Sequence, residues 1–300
     1  MPTHFTFEAI GTTWKIDIGT DMSSMDRDTL LKEIIARIDI FDKAYSRFRK
    51  DSLVTKMSQE PGDYLLPDDA EPMMSLYQRL YKISVGLMSP LVGRVLSDAG
   101  YDATYSLEPK ENIAPAPTWE ESMNYHHPIL TIKKPSLLDL GAIGKGYLID
   151  IVSGIIESRG MRDYVIDAGG DIRYRNMNGK ALKVGLENPE DAKQVVGIAE
   201  IKNASVCGSS GNRRRWKNYH HIMDPKTTKS PNHILALWTT AKNTMLADAL
   251  STTLFFVEPE ILMKEYQFEY AIMYADRSVK ISPSFPGHFF SQENLVKLTH

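Results

Sequence analysis

The chain has 300 residues, 42% hydrophobic and 24% charged, an ordinary globular composition that excludes a mostly disordered polymer. Its 35 basic and 38 acidic residues leave a formal charge of −3, so composition gives no signal for nucleic acid or an anionic membrane surface. The single cysteine, Cys207, excludes a disulfide framework or a cysteine-built zinc site within one chain.

The first residues, Met1-Pro2-Thr3-His4-Phe5, form neither a basic n-region nor an apolar h-region. No window reaches the roughly 18 uninterrupted apolar residues of a membrane span. The expectation is a cytoplasmic protein with no membrane span and no nucleic-acid partner. The length suits one or two cores, and nothing reads as a flexible linker, so residues 1–300 are taken as one unit.

In chain order, residues 5–7 and 14–18 alternate apolar and polar side chains around Gly11 and predict two strands. Leu30, Leu31, Ile34, Ile35, Ile38, Phe41 and Tyr45 recur at helical spacing, and Met73, Leu76, Leu80 and Ile83 form a second stripe after Pro72. Residues 107–125 carry Pro109, Pro115 and Pro117 without a period and predict an irregular connection. Strands resume at 127–133. Residues 137–140 form a short apolar run read as a strand, 141–146 a glycine-rich turn, and 147–158 a helix. Residues 164–166, 181–186 and 195–201 predict strands, 245–256 a helix, and 270–274 with 279–281 a late hairpin. Mixed strands and helices without a repeat favour α+β or mixed α/β.

Four constellations are candidates for chemistry. In Leu138-Asp139-Leu140-Gly141-Ala142-Ile143-Gly144-Lys145-Gly146 a strand runs through glycines into a helix, where free N–H groups and Lys145 suit an anion. It is neither GxGxxG nor a P-loop, and taken alone the segment reads first as a tight strand-to-helix turn with a solvated lysine. Asp167-Ala168-Gly169-Gly170-Asp171 follows an apolar strand and reads as a ligand-facing turn or a bulge. Arg213-Arg214-Arg215, followed by His220-His221-Ile222-Met223-Asp224-Pro225, offers phosphate-binding cations and a base, or a solvated run, a structural histidine and an Asp-Pro turn. Asp248 and Thr252 lie at i and i+4 on one helix face, a carboxylate and a hydroxyl suited to a hard cation, or the polar side of a packed helix.

Together and in this order, these pieces resemble the FAD:protein FMN transferase (ApbE-type flavin transferase) family. The resemblance also rests on Ile10-Gly11-Thr12-Thr13-Trp14, Tyr45-Ser46-Arg47-Phe48, Val184-Gly185-Leu186-Glu187-Asn188-Pro189 and Ser209 to Asn212. It implies an α+β fold of mixed sheets and helices in two lobes, with FAD in the cleft between them. It implies a Mg²⁺-dependent reaction that divides FAD, passes FMN through a phosphoester to a threonine or serine of an acceptor protein, and releases AMP. The alternatives on the same site are an FAD diphosphatase and a non-catalytic flavin carrier.

Carried over residue by residue, Ile10, Phe48 and Ala99-Gly100-Tyr101 match positions that line flavin or adenine, and Asp139 and Lys145 match FAD contacts. Ala142 matches a backbone metal ligand, and Asp248 and Thr252 match side-chain metal ligands. Ser251 holds a position that is sometimes acidic. His221 matches a candidate base for the acceptor hydroxyl. The chain departs from the family pattern at Ser89, where aspartate is common, at Asn212, and at Thr228, where glycine is usual.

Overall fold

The computed structural model describes residues 2–290 and the strand Val296–Lys297. The N-terminal pattern becomes a hairpin, β1 (Thr3–Ala9) and β2 (Thr12–Ile18), in antiparallel register with Thr3 opposite Ile18. Helix α1 (Ser24–Tyr45) starts where the Ser23 hydroxyl accepts the Asp26 N–H at 3.1 Å and buries Leu30, Ile34, Ile38, Phe41 and Tyr45 along one stripe. There follow α2 (Leu53–Met57), β3 (Gly62–Leu65), α3 (Glu71–Ile83) and α4 (Gly93–Asp98).

The stretch predicted as irregular is so only in part. It ends in a helical turn, α5 (Trp119–Ser122), and a strand, β4 (Met123–His126), which pairs with β5 (Ile129–Ile132). A capping box at Thr118 and Glu121 starts that turn, a local signal that the prolines outweighed in the sequence reading.

The largest correction concerns residues 137–146. No strand forms at 137–140, and the predicted turn is the start of a long helix, α6 (Gly141–Ser158). Gly146 serves helix packing. A Cβ on Gly146 would stand 2.4 Å from the Thr244 carbonyl oxygen and 2.6 Å from Asp248 Cβ, well inside contact distance.

The chain continues through β6 (Tyr164–Ala168), β7 (Asp171–Arg175), β8 (Leu182–Asn188), β9 (Asp191–Ile201), β10 (Ser205–Ser210), the two-residue strands β11 (Arg215–Trp216) and β12 (Tyr219–His220), and β13 (Ile234–Ala241). It closes with α7 (Thr244–Thr253), α8 (Pro259–Leu262), β14 (Phe268–Tyr274), β15 (Val279–Ile281), β16 (Gly287–Phe289) and β17 (Val296–Lys297). The late hairpin is β14–β15, as its pattern predicts. Strands β10 and β13 had no prediction.

Eight strands form one sheet in the order β1-β2-β6-β7-β10-β13-β14-β15, with every neighbouring pair antiparallel. Helices laid on such a sheet make the class α+β. Alternation along the strands splits its side chains between two faces. Trp14, Ile16, Ile18, Cys207 and Leu237 join the helices in the main core, while Ala236, Trp238 and Ala271 face Leu186, Val196 and Ala199 of the β8–β9 sheet. Burial keeps the Cys207 thiol protonated, its pKa well above the usual thiol range, in keeping with a small apolar residue. No helix among the described residues is long and apolar enough to cross a membrane.

Candidate active site

A cavity of about 470 Å³ opens where the start of α6, the middle and last turn of α7, the end of β10, the 213–223 segment and the 46–48 and 101–105 loops meet. Of the candidates above, Ile10, Phe48, Tyr101, Asp139, Ala142, Lys145, His221, Asp248 and Thr252 all line it. Ala99 and Gly100 do not. Ala99 is fully buried behind the wall, and its carbonyl accepts the Trp216 indole N–H at 2.8 Å. Gly100 is crossed closely by the backbone at 107–108.

Two residues of the β1–β2 turn, Ile10 and Gly11, have positive φ (44° and 74°). Such a hairpin turn prefers Asn-Gly, and a β-branched residue there is strained. Ile10 nevertheless holds its place on the cavity lining.

The aromatic wall is mutually packed. Phe48 stacks on Tyr105 (centroids 5.3 Å apart) and meets Tyr101 edge-on at 5.5 Å, and Tyr101 stacks on Trp216 at 5.7 Å. Arg47 lies against Phe48 and Tyr101, with its guanidinium carbon 4.2 Å and 4.9 Å from their ring centres. Its Nε donates to Asp139 at 2.5 Å and its Nη1 to the Tyr101 carbonyl at 2.7 Å. The other Asp139 oxygen accepts the Gly141 N–H at 2.8 Å, so Asp139 steadies the first turn of α6. Burial pushes the Asp139 carboxyl up, but the Arg47 charge and these hydrogen bonds outweigh it, and the group is held below the usual carboxylate range.

Asp248 sits on α7 with 5% of its surface exposed. Its Oδ2 accepts the Gly146 N–H at 2.7 Å. A regular helix directs that N–H at the Ala142 carbonyl, so Asp248 competes with that carbonyl for the proton. Burial raises the Asp248 pKa, with Lys145, the Gly146 N–H and Arg214 opposing it. Lys145 itself pairs with the buried Asp171. Thr252, one turn on, is half-buried on the same cavity face. Ser251 is not available to a ligand: it is fully buried, donates to the Asp248 carbonyl at 2.8 Å and lies 2.7 Å from the Ser209 hydroxyl.

Among the described residues no three His, Cys, Asp or Glu side chains cluster as a metal site. The candidate set is instead one carboxylate, one hydroxyl and one carbonyl. This all-oxygen set suits a hard cation that keeps several waters, and a buried carboxylate with no close cation in hydrogen-bond contact fits that use.

The two histidines divide. His220 Nε2 lies 2.9 Å from the Pro231 carbonyl, and its Nδ1 accepts the Ile222 N–H at 3.3 Å, so it anchors the segment. His221 faces the cavity, and its Nδ1 is buried without a partner among the described residues. Burial, with Arg214 and His220 adding to it against Asp139, pulls its pKa down to about 3. The ring is therefore neutral and able to accept a proton. Asp224 makes the turn that its Asp-Pro context predicts, its side chain accepting the Lys226 and Thr227 N–H groups at 2.7 and 3.0 Å.

The departures are local. Ser89 lines the cavity and accepts the Leu91 N–H at 3.2 Å, which aspartate would also do. Asn212 binds the Ser210 hydroxyl and the Pro189 carbonyl. Thr228 has φ +57°, the left-handed region where glycine carries no steric cost.

Three residues had no role in the sequence reading. Arg47 is the counter-charge of Asp139. Asp171 balances Lys145, and its only sequence signal was the Asp167–Asp171 motif. Asp150 accepts the Thr244 and Met245 N–H groups at 2.9 and 2.8 Å, capping α7 from α6 and so placing Asp248.

The fold and cavity define an α+β protein whose cleft combines stacked aromatic rings, several cations and one buried carboxylate. The ApbE family model matches residues 10–272, and the chain belongs to that family. Similar relatives include the FAD:protein FMN transferase of Vibrio cholerae serotype O1, 26% identical over 86% of this chain and 82% of the relative. That of Escherichia coli K12 is 27% identical over 96% and 89%. Among solved structures, the flavin transferase ApbE from Vibrio cholerae superposes with a TM-score of 0.80 at 23% identity, covering 95% of this chain and 98% of that one. The ApbE protein of Thermotoga maritima gives 0.82 at 19%, with the same coverage.

Proposed function

We propose that this protein is an FAD:protein FMN transferase. It divides FAD, joins the FMN half through a phosphoester to a threonine or serine hydroxyl of an acceptor protein, and releases AMP. The observation that carries this reading is the meeting, in one cavity, of an aromatic wall, a lysine-bearing helix start, a buried carboxylate with a hydroxyl one turn on, and a neutral imidazole. The names of the relatives support it.

Ile10, Phe48 and Tyr101 enclose the ring systems of FAD, with Ala99 and Gly100 setting the position of Tyr101. Asp139 and Lys145 flank the phosphates at the start of α6. Asp248, Thr252 and the Ala142 carbonyl are the groups that would hold Mg²⁺, which when bound neutralises charge on the diphosphate. His221 takes the proton of the acceptor hydroxyl, a role typically worth about a hundred- to ten-thousand-fold in rate. The hydroxyl oxygen bonds to the phosphorus of the FMN half, the bridging P–O bond breaks, and AMP leaves with the bridging oxygen. Arg214 and Lys145 depress the basicity of His221; an anionic ligand beside them offsets that field, so the base strengthens when FAD is in place.

The test incubates the protein with FAD, Mg²⁺ and a threonine-bearing acceptor peptide, reading peptide mass and AMP together. A peptide gaining FMN as a phosphoester, with the gain lost in Asp248→Ala, is the expected result. AMP without peptide modification points to the diphosphatase. Neither product, with FAD bound, refutes both enzymatic readings and leaves a flavin carrier.

A further inference from the structure

Five cationic side chains line the cavity: Arg47, Arg49, Lys145, Arg213 and Arg214. Four have carboxylate partners. Arg47 holds Asp139, Arg49 pairs with Asp42 and Asp51, Lys145 with Asp171, and Arg213 with Glu187. Arg214 takes part in no ion pair or hydrogen bond among the described residues. The arginine run therefore has three fates. Arg213 is tied through two nitrogens to Glu187 and through a third to the Gly169 carbonyl at 2.9 Å. Arg215 does not line the cavity and lies in β11 opposite His220.

Between them the Arg214 backbone is held on both sides while its guanidinium is free. The next two residues are fixed by the β11–β12 pairing and by Trp216, which bonds to Ala99 and stacks on Tyr101. Its charge is felt by Tyr101, His221 and Asp248, all on the cavity lining. An unbalanced cation in a cleft of otherwise paired charges is suited to an anionic ligand, and a planar guanidinium matches two phosphate oxygens at once.

We propose that Arg214 grips the diphosphate of the dinucleotide and is the specificity-determining cation of the cavity, selecting flavins that carry linked phosphates over the bare flavin. The proposal rests on the transferase reading. Lys145, whose charge Asp171 already balances, is the secondary contact.

The test measures equilibrium binding of FAD and of riboflavin, without metal, to the wild-type protein, Arg214→Gln, Arg214→Lys and Arg215→Gln. A lost charge-assisted contact corresponds to about ten- to hundred-fold weaker FAD binding. That loss is expected in Arg214→Gln, with riboflavin binding unchanged and Arg215→Gln like wild type for both ligands. Arg214→Lys recovers part of the affinity, because it keeps the charge and loses the fork. If wild type binds FAD and Arg214→Gln binds it equally well, the assignment is overturned while the transferase reading stands. Equal losses in Arg214→Gln and Arg215→Gln also overturn it, since a diffuse surface field would then account for both. If wild type does not bind FAD, the transferase reading fails and the assignment with it.

Discussion

Gly146 and Gly154 lie about two turns apart on α6, and the same substitution is expected to act on them with opposite signs. Around Gly154 nothing lies within 4 Å of an added Cβ, and the residue is exposed. Gly154→Ala then gains only helix propensity and is expected to stabilise by about 0.5–1 kcal/mol. At Gly146 the added Cβ meets a backbone carbonyl at 2.4 Å and Asp248 Cβ at 2.6 Å. The carbonyl belongs to the first turn of α7, whose N–H groups Asp150 already holds, so relief requires the two helices to part. Overpacking typically costs about 1–3 kcal/mol. The strained Gly146–Asp248 hydrogen bond adds about 0.5–1.5 kcal/mol. Against a propensity gain of under about 1 kcal/mol, the net expectation for Gly146→Ala is a loss of about 1–4 kcal/mol. Urea unfolding followed by far-UV circular dichroism measures both variants, and AMP release from FAD is assayed alongside. Gly146→Ala should also lose activity, because Asp248 moves with α7, while Gly154→Ala should not. Equal stability changes in the two variants would refute the close-packing account of Gly146.

Three further expectations follow from single groups. Thr228→Gly relieves a left-handed threonine at roughly 1–2 kcal/mol of steric cost, offset in part by unfolded-state entropy, so a gain of about 0.5–1 kcal/mol in urea unfolding is expected; a loss would mean that the threonine side chain contributes packing. Arg47→Leu strands the Asp139 carboxylate and should cost about 3 kcal/mol, the low end of the range for a broken buried pair, because Asp139 keeps 15% side-chain exposure. The double variant Arg47→Leu with Asp139→Leu should cost less than the sum of the singles, and strict additivity would show that the pair is not coupled. His221 has a folded pKa of about 3, below its unfolded value of about 6.5. Its neutral-state stability is therefore complete above pH 6.5 and lost as pH falls toward 3. Between pH 7 and pH 5 this amounts to as much as about 2 kcal/mol, so His221→Gln should unfold with a shallower acid dependence than wild type. Parallel pH profiles would contradict the buried neutral ring.

The elements with strong local patterns were legible without tertiary information. Seven apolar positions at helical spacing specify α1, strict alternation specifies β2, and the late hairpin follows from two β-rich runs about a turn. The ordered motifs likewise carried the family and most of the cavity lining, because a ligand site recruits chemically distinctive residues whose sequence order the fold preserves. What local pattern misread was the start of α6. Glycines at 141, 144 and 146 read as a turn because glycine is locally a poor helix former, whereas Gly146 is there to let α7 approach. No neighbour in sequence announces that need.

The pairing of charges is of the same kind. Arg47 with Asp139, Lys145 with Asp171 and Asp150 with the start of α7 join residues from 26 to 95 positions apart. Nothing in the run Arg213-Arg214-Arg215 distinguishes its members until the fold supplies Glu187 to the first, a strand to the third and an open cavity to the second. Composition and periodicity act over a few residues and settle which segments are helix or strand. Which glycine must be small, which carboxylate is balanced and which cation is left free depend on what the chain brings alongside, and only tertiary packing decides that.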